Sequence, residues 1–312
     1  MDALAGILDG PRARDAFLLR SSMDPPWSLR IEDEAPLTVV AIVRGEAWCI
    51  PDVGEPELLR RGDVAIVRGP EPYTVADDPT TPPQVIILPG QVCLKPDGSE
   101  PEQMRDLGVR TWGNAPDGET VMLTGTYNLE GEVSGRLLRA LPEAIVLRRD
   151  EWRCPVIPLM ADEIVKDEPG QEAVLDRLLD LLLITALRAW FDRPEAGAPG
   201  WYRASGDPIV GQALRLLHHD PARQWTVAEL AHETGVSRAK LARRFHEMVG
   251  EPPMSFLAGW RIALAADLVR EPGATVGSVA QQVGYGSPYA LSTAFKRARG
   301  ISPREHRQLA DA

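Results

Sequence analysis

Cysteine and histidine are scarce in this sequence, and their placement limits the chemistry open to it. Three cysteines, Cys49, Cys93 and Cys154, occur among 312 residues. Their spacing fits neither a disulfide framework nor a Cys-x-x-Cys metal site. All five histidines follow residue 217, although imidazole is a common ligand of iron, zinc and nickel. We therefore expect no metal centre, no catalytic residues and no cofactor.

Long apolar runs and a basic leader are also missing. The longest largely apolar run spans residues 181–187, far short of the roughly 20 residues that a membrane-spanning helix needs. The first fifteen residues carry acidic side chains where a secretory signal carries basic ones. These absences predict a cytoplasmic protein with no membrane partner.

The net charge of −11 is unfavourable for binding nucleic acid, but the charge is unevenly distributed. Residues 206–312 hold 13 basic and 10 acidic side chains, which leaves 21 basic and 35 acidic side chains for residues 1–205. The acid is concentrated in the first part of the chain. A mildly basic segment can bind phosphate if its cations face one way.

The pattern along the chain predicts two domains. Residues 37–147 contain short β-type runs broken by glycine and proline, which is typical of a sandwich or barrel. Residues 171–191 follow a helical period and complete a first domain over 1–191. Residues 192–206 are rich in proline, glycine and alanine and are expected to be a linker. An all-α second domain is expected over 207–312.

The helix expected over 171–191 is apolar around much of its girth. Such a helix needs more than one packing neighbour. Two interpretations are open. The helix either pairs with a second copy of the chain in a homodimer, or packs entirely against its own domain.

An internal repeat marks the second domain. The segment TVAELAHETG (226–235) aligns with TVGSVAQQVG (275–284). Each is followed by a serine and a second apolar-edged segment, SRAKLARRF (237–245) or SPYALSTAF (287–295). The small residues, left-handed glycines and serine N-caps that a helix-turn-helix needs recur at matching places. The repeat predicts two helix-turn-helix units, at about 226–245 and 275–295.

The outward faces of the second helices are the candidate DNA-binding sites, because such helices can enter a major groove. A helix between the two units, about 25 Å long, would separate them by roughly one DNA turn. The alternative is a merely solvated basic face. The candidate residues are Arg238, Ala239, Ala242 and Arg243 in the first unit, and Tyr289, Ser292, Thr293 and Lys296 in the second.

Residues 209–307 resemble the DNA-binding domain of AraC/XylS-type transcription regulators. The stretch VGYGSPYALSTAFKRARGISPREHR (283–307) is close to that family's signature. The resemblance implies seven helices, two of which read adjacent major-groove segments, with Arg243 as the principal base reader. It implies a transcription regulator, an activator or a repressor, that binds double-stranded promoter DNA and works with RNA polymerase. The sequence departs from relatives in the short side chains of Ala239 and Ala242, and in Pro288 and Thr293.

Residues 5–190 more loosely resemble cupin-type sensor domains. The segment RRGDVAIVRGPEPYTV (60–75) is similar to a cupin motif, but Tyr73 stands where cupins place a metal-binding histidine. The resemblance implies an all-β barrel or jelly roll with flanking helices. It would sense a signal without catalysing a reaction. The alternative is a cupin-type enzyme with a helical appendage.

Two kinds of signal are open for this domain. One is a small apolar or aromatic effector held by aromatic side chains, which could equally be core fillers. The other is oxidation of a thiol. The effector candidates are Trp48, Tyr73, Trp112 and Tyr127, and the redox candidates are Cys49, Cys93 and Cys154.

Overall fold

The computed structural model describes residues 17–127 and 132–310, which form two compact units. The β unit contains residues 17–127 and 141–196, and the helical unit contains residues 132–140 and 197–310. The helical unit thus includes a short segment from near the end of the first half of the chain. Among the described residues, no helix combines the length and apolar character needed to cross a membrane.

Within the described residues, thirteen strands build the β unit as two sheets. The strands are β1 (Phe17–Met23), β2 (Ser28–Ile31), β3 (Leu37–Arg44), β4 (Glu46–Pro51), β5 (Glu57–Arg60), β6 (Val64–Arg68), β7 (Tyr73–Ala76), β8 (Val85–Leu88), β9 (Val92–Leu94), β10 (Arg105–Gly108), β11 (Thr111–Gly113), β12 (Thr120–Tyr127) and β13 (Ala144–Leu147). One sheet has the order β10-β11-β1-β12-β3-β6-β13, and the other β5-β4-β7-β2-β8-β9.

The inner faces of the two sheets share one apolar core. Val40, Ile42 and Met122 of the seven-stranded sheet are buried in the same cluster as Leu29 and Val75 of the six-stranded sheet. Alternate residues of a strand point to opposite faces, so every second position of these strands contributes to the core. The result is the two-sheeted arrangement of a jelly roll, as the cupin resemblance implies.

The sheets do not close into a barrel within the described residues. Strand β5 pairs only with β4 and β9 only with β8, so each ends the six-stranded sheet. These edge strands have four and three residues. Of the two expected forms, the jelly roll rather than the closed barrel is present.

Two helices complete the β unit, α2 (Val156–Glu163) and α3 (Gln171–Phe191). Helix α3 spans the interval in which the sequence predicts a helix. It packs close to strand β12, because a Cβ on Gly125 would lie 2.6 Å from the Leu179 Cδ1 atom. The Tyr127 hydroxyl donates a hydrogen bond to the Leu179 carbonyl at 2.8 Å. Glycine at position 125 therefore lets the helix approach the sheet.

The remaining helices belong to the helical unit. They are α1 (Glu132–Leu138), α4 (Gly200–Ser205), α5 (Val210–His219), α6 (Val227–Glu233), α7 (Arg238–Val249), α8 (Pro253–Leu268), α9 (Val276–Val283), α10 (Pro288–Arg299) and α11 (Pro303–Ala310). In the described part of residues 207–312 there are seven helices, α5 to α11, the number that the resemblance implies.

Part of the interval expected to be a linker is instead folded. Helix α4 lies within residues 192–206 and packs against α5 and α7. This segment folds because its apolar side chains are buried. Ala204 is fully buried in the core of the helical unit, and Trp201 packs against the same cluster. Proline and glycine composition alone did not reveal this contact.

Helix α8 joins two separate apolar cores. Phe256 and Leu257, near its beginning, are buried with residues of α5, α6 and α7. Ile262, Ala265 and Val269 at its end are buried with residues of α9 and α10. With sixteen residues and a rise of about 1.5 Å per residue, α8 is about 24 Å long. Each helix-turn-helix unit therefore has its own core, and one rigid element connects them.

Candidate nucleic-acid interface and ligand cavity

The first helix-turn-helix, α6 and α7, is shaped by capping at both helix starts. The Thr226 hydroxyl accepts a hydrogen bond from the Glu229 backbone N–H at 3.1 Å, and the Glu229 carboxylate accepts one from the Thr226 N–H at 2.8 Å. Gly235 then takes a left-handed φ of 67°. The Ser237 hydroxyl caps α7 by accepting from the Lys240 N–H. These reciprocal bonds satisfy N–H groups that would otherwise lack partners.

The second helix-turn-helix, α9 and α10, repeats this geometry. Thr275 caps α9 by accepting from the Ser278 N–H at 3.0 Å, and Ser278 bonds back to the Thr275 N–H. Gly284 ends α9 with a φ of 85°. Ser287 caps α10 by accepting from the Ala290 N–H at 3.1 Å. The repeat in the sequence is thus a repeat in structure.

One side of each helix-turn-helix unit is packed against its apolar core. In each unit a small residue of the first helix and two apolar residues of the second lie in the core. These residues are Ala231, Leu241 and Phe245 in the first unit, and Ala280, Leu291 and Phe295 in the second. The opposite faces of α7 and α10 are consequently turned to solvent.

The predicted DNA-binding residues lie on these solvent faces. Arg243 has 75% of its side chain exposed and only a loose ion pair, 3.7 Å from its Nε to Glu247 Oε1. Tyr289 is 81% exposed, which is unusual for so large an apolar ring. Of the other candidates, Arg238, Ala239, Thr293 and Lys296 are exposed, while Ala242 and Ser292 are half-buried.

A further exposed cation, Lys240, was missed. It precedes Arg243 by three positions, so the helical period places it on a neighbouring part of the surface of α7. That spacing was the available signal.

Arg244 has a different task from its neighbour Arg243. Its guanidinium forms a two-pronged ion pair with the Asp207 carboxylate, with Nε 3.0 Å from Oδ2. The same carboxylate accepts the backbone N–H groups of Ile209 and Val210 at the start of α5. The Asp207 side chain is 5% exposed, and the Arg244 hydrogen bond lowers its pKa to about 2. Asp207 therefore fastens α7 to α5.

The two helix-turn-helix units also meet beside α8. The Arg261 Nε donates to the Pro221 carbonyl at 2.7 Å, and the Gln224 amide donates to the Gly284 carbonyl at 2.8 Å. A Cβ on Gly284 would lie 2.5 Å from the Ala222 carbonyl oxygen. The loop after α5 thus rests on the turn of the second unit and helps to set their spacing.

A cavity lies between the two sheets of the β unit. It is partly open to solvent. Its walls are mostly apolar. They are formed by Phe17, Leu19, Ser21, Leu29, Ile31, Asp33, Val40, Tyr73, Val75, Ile87, Gln91, Trp112, Met122, Thr124 and Thr126.

The cavity brings together two of the four aromatic residues predicted to hold an effector, Tyr73 and Trp112. Tyr73 is buried, and burial raises the pKa of its phenol, which stays neutral. Trp48 and Tyr127 are not in the wall. Trp48 alternates along β4 with the buried Ala47 and Cys49, so it points to the opposite face. The hydroxyl of Tyr127 is bonded to α3.

Asp33 and Gln91 line the cavity, yet sequence reasoning missed them. Both lie in turns outside the strands, and both are half-buried. The Asp33 carboxylate accepts the Ala35 N–H at 3.1 Å, which fixes its direction. These groups add one carboxyl and one amide to a mostly apolar cavity that also holds the hydroxyls of Ser21, Thr124 and Thr126. No local pattern marked them, because pairing between distant strands brings them to the cavity.

The three cysteines differ in environment. Cys49 is buried in the core, and burial raises the pKa of its thiol to about 12. Cys93 is half-buried, and burial raises its thiol pKa too. A raised pKa suppresses the thiolate, which is the reactive form. Cys154 is half-buried. Oxidation sensing therefore finds little support at Cys49 and Cys93.

The cupin-like motif has a structural explanation. Gly62 takes a φ of 90°, and the buried Asp63 carboxylate accepts the backbone N–H groups of Arg60 and Arg149 at 3.0 and 2.8 Å. It also pairs with the Arg148 guanidinium at 3.2 Å. The Gly-Asp pair thus ties two turns together. In the described residues no group of three or more potential metal ligands converges.

Comparisons with known proteins agree with this geometry. A cupin family model matches residues 2–192, and a helix-turn-helix domain model matches residues 230–309. A Streptomyces lividans protein described as an AraC-like transcription regulator is 31% identical over 316 residues, 99% of this chain and 98% of its own. The HTH-type transcriptional regulator AlkR of Acinetobacter baylyi is 26% identical over 317 residues, 99% of each chain.

Among solved structures, the DNA-binding domain of AdpA in complex with a target DNA is 32% identical. The match covers 33% of this chain and 93% of the AdpA domain, with a TM-score of 0.31. Full-length relatives are named as transcription regulators, and both predicted domain types match. The chain therefore belongs to the AraC-type transcription regulators, which bind DNA through paired helix-turn-helix units and here carry an N-terminal cupin domain.

Proposed function

We propose that α7 and α10 read two adjacent major-groove segments of promoter DNA. The eight residues predicted from the sequence would contact the DNA, with Arg243 as the principal base reader. The observation that carries this is the pair of exposed helix faces, Arg243 on one and Tyr289 on the other, connected by one rigid helix. Lys240 and Lys296 would add phosphate contacts.

Binding-site selection tests this proposal. The full-length protein would select fragments from a random DNA library, and footprinting would then map the protected bases. We expect two protected major-groove segments about one helical turn apart. A single protected segment, or no preference over bulk competitor DNA, would contradict the proposal.

We propose further that the β unit senses a small, largely apolar molecule in the cavity. The lining supports this, because it is apolar with a few polar groups that can orient a ligand. Asp33 and Gln91 favour a ligand with a hydrogen-bond donor at one end, and Trp112 offers it a ring to pack against.

The neutral fluorescent probe N-phenyl-1-naphthylamine tests whether the cavity accepts apolar molecules. We expect saturable binding to the native chain and a severalfold weaker affinity in Thr124→Phe, which fills the cavity. As a matched control, Val53→Phe changes an exposed residue outside the cavity and should bind the probe normally. Equal binding by all three proteins would rule the cavity out as the site.

We also propose a homodimer formed through α3. Val174 and Leu181 on this helix are 44% and 45% exposed, and the half-buried Leu178 lies between them. Their spacing of four and three residues is that of a coiled-coil seam. Sedimentation should give a dimer for the native chain and a monomer for Val174→Glu/Leu181→Glu. A native monomer at micromolar concentration would contradict this.

We propose that the protein acts in the cytoplasm and that RNA polymerase is its partner, because a promoter-bound activator works on the transcription machinery. In vitro transcription from a selected fragment tests the sign of the effect. More transcript in the presence of the protein is expected.

A further inference from the structure

Helix α1 is out of place in the chain order. It lies in sequence between β12 and β13 of the β unit, yet it belongs to the helical unit and packs against α8. Helix α8 connects the two helix-turn-helix cores. A piece of the first half of the chain therefore touches the element that spaces the two DNA-reading helices.

The contact between α1 and α8 is specific. The Val133 backbone N–H donates to the Asp267 Oδ2 atom at 3.1 Å. The Arg136 guanidinium lies over the Trp260 ring, 5.7 Å from its centroid. Gly259 leaves room for it, because a Cβ there would be 2.9 Å from an Arg136 Nη atom. A charge-assisted hydrogen bond and a cation–π contact thus secure α1 on α8.

A continuous set of ring contacts leads from this point to a DNA-reading helix. The ring centroids of Trp260 and His218 are 4.4 Å apart, and those of His218 and Phe256 are 5.5 Å apart. The ring of Phe256 packs on that of Phe245 in α7, with 5.8 Å between their centroids. Phe245 is fully buried. A shift of α1 would therefore bear on the packing that orients α7.

The strand that precedes α1 in the sequence forms part of the cavity wall. Met122, Thr124 and Thr126 of β12 all line the cavity. Strand β12 ends at Tyr127 and α1 begins at Glu132, so only four residues separate them in the sequence. The strand that would contact a bound ligand is thus covalently continuous with the helix on α8.

We propose that Arg136 and Asp267 are positioning residues for DNA reading, and that α1 transmits occupancy of the cavity to α8. This rests on the ligand binding proposed for the cavity. With α1 in place on α8, the two reading helices keep the spacing that their DNA site requires. If the cavity and the α1–α8 contact are coupled, substitutions at the two places will not have additive effects on the free energy of DNA binding. A double-mutant cycle measures this departure from additivity.

Hydrogen exchange of the full-length protein provides the first test and needs neither ligand nor DNA. We expect faster amide exchange in α8 and α7 for Arg136→Ala, and for Asp267→Ala, which removes the acceptor from the other side of the contact. Arg136→Lys, which keeps the cation, should restore most of the protection. Arg270→Ala changes an exposed arginine just beyond α8 and should match the native chain.

DNA binding provides the second test, on a fragment selected by the native chain. Arg136→Ala should weaken specific binding at least about threefold, and Arg270→Ala should not exceed a twofold change. The cavity-filling Thr124→Phe should change affinity in the native background and have less than half that effect alongside Arg136→Ala.

Two results would overturn the inference. One is exchange in α7 and α8 that is the same for Arg136→Ala, Asp267→Ala and Arg270→Ala. The other is strict additivity of Thr124→Phe and Arg136→Ala. Failure of the proposed function would look different. If the native chain showed no DNA preference, or no probe binding in the cavity, the exchange data would still decide the role of α1.

Discussion

The two helix-turn-helix units share a scaffold but present different faces. Threonine caps, a left-handed glycine, a serine cap and a buried phenylalanine recur at matching places. The exposed faces differ: α7 carries Arg238, Lys240 and Arg243, whereas α10 begins with a proline and the exposed Tyr289. Residues that make the fold are repeated, and residues that would read DNA are not. Helix α7 carries cations from its first turn onwards, whereas α10 has a large ring in its first turn and its cations, Lys296, Arg297 and Arg299, in its last turn.

The turn glycines provide the largest expected difference between the units. Gly235 and Gly284 both have positive φ, but only at Gly284 would a Cβ meet backbone, 2.5 Å from the Ala222 carbonyl. We expect Gly284→Ala to lower the free energy of unfolding by about 3 kcal/mol, since overpacking adds to left-handed strain. Gly235→Ala should cost only about 1 kcal/mol. Urea unfolding measures both, and equal costs would show that the close approach is unimportant.

The reading faces provide the next comparison. Arg243→Ala should weaken specific DNA binding by about 1–3 kcal/mol, the scale of one bidentate base contact. Tyr289→Ala should cost about 1 kcal/mol, because a ring on a thymine methyl or sugar has no charge to contribute. Mobility-shift titration on a selected fragment measures both. Unchanged affinity for Arg243→Ala would remove it from the set of base readers.

The third comparison concerns the ion pair between Asp207 and Arg244, which holds α7 to α5 in the first unit. Asp207→Asn keeps the shape but removes the charge facing Arg244, so it should cost about 1.5 kcal/mol of unfolding free energy. The lowered pKa of Asp207, about 2, predicts a pH dependence. The stabilisation is complete above the unfolded pKa of about 3.9 and is lost as the pH falls towards 2. Acid unfolding should show this loss in the native chain and a smaller one in the variant.

The smallest expected effect concerns Lys296, near the end of α10 and exposed. Lys296→Ala should weaken binding about equally on specific and unrelated DNA. It should reduce the salt dependence by about one phosphate contact. Titrations at several salt concentrations measure this slope. A loss confined to the specific fragment would instead make Lys296 a base reader.

The contrast between local and distant contacts explains what the sequence could predict. Ser237 accepts a hydrogen bond from the N–H three residues further on, and Leu241 packs one turn from Phe245, so a repeat of such residues predicts both units. Trp48 was placed in the effector site although its neighbours Ala47 and Cys49 follow the inward period of β4. That period was a usable signal. Asp33 reaches the cavity only because distant strands pair.

Helix α1 lies beyond any local signal. Val133 meets Asp267 across 134 residues of sequence, and nothing in the short stretch 132–138 indicates a partner in the other half of the chain. The same holds for α4, which composition predicted to be a linker. In both cases burial against a distant helix, rather than local propensity, decides the structure.

Helix α8, with one end in each core, also constrains how this protein can evolve. A single inserted residue would rotate the second core by about 100° around the helix axis and move it by about 1.5 Å. The face of α10 would then turn away from the groove in which we propose that it binds. Changes of side chain on either face can be accepted one at a time, but changes of length in α8 cannot. Descendants of this regulator should therefore differ in the bases they prefer while keeping the same distance between the two halves of their sites.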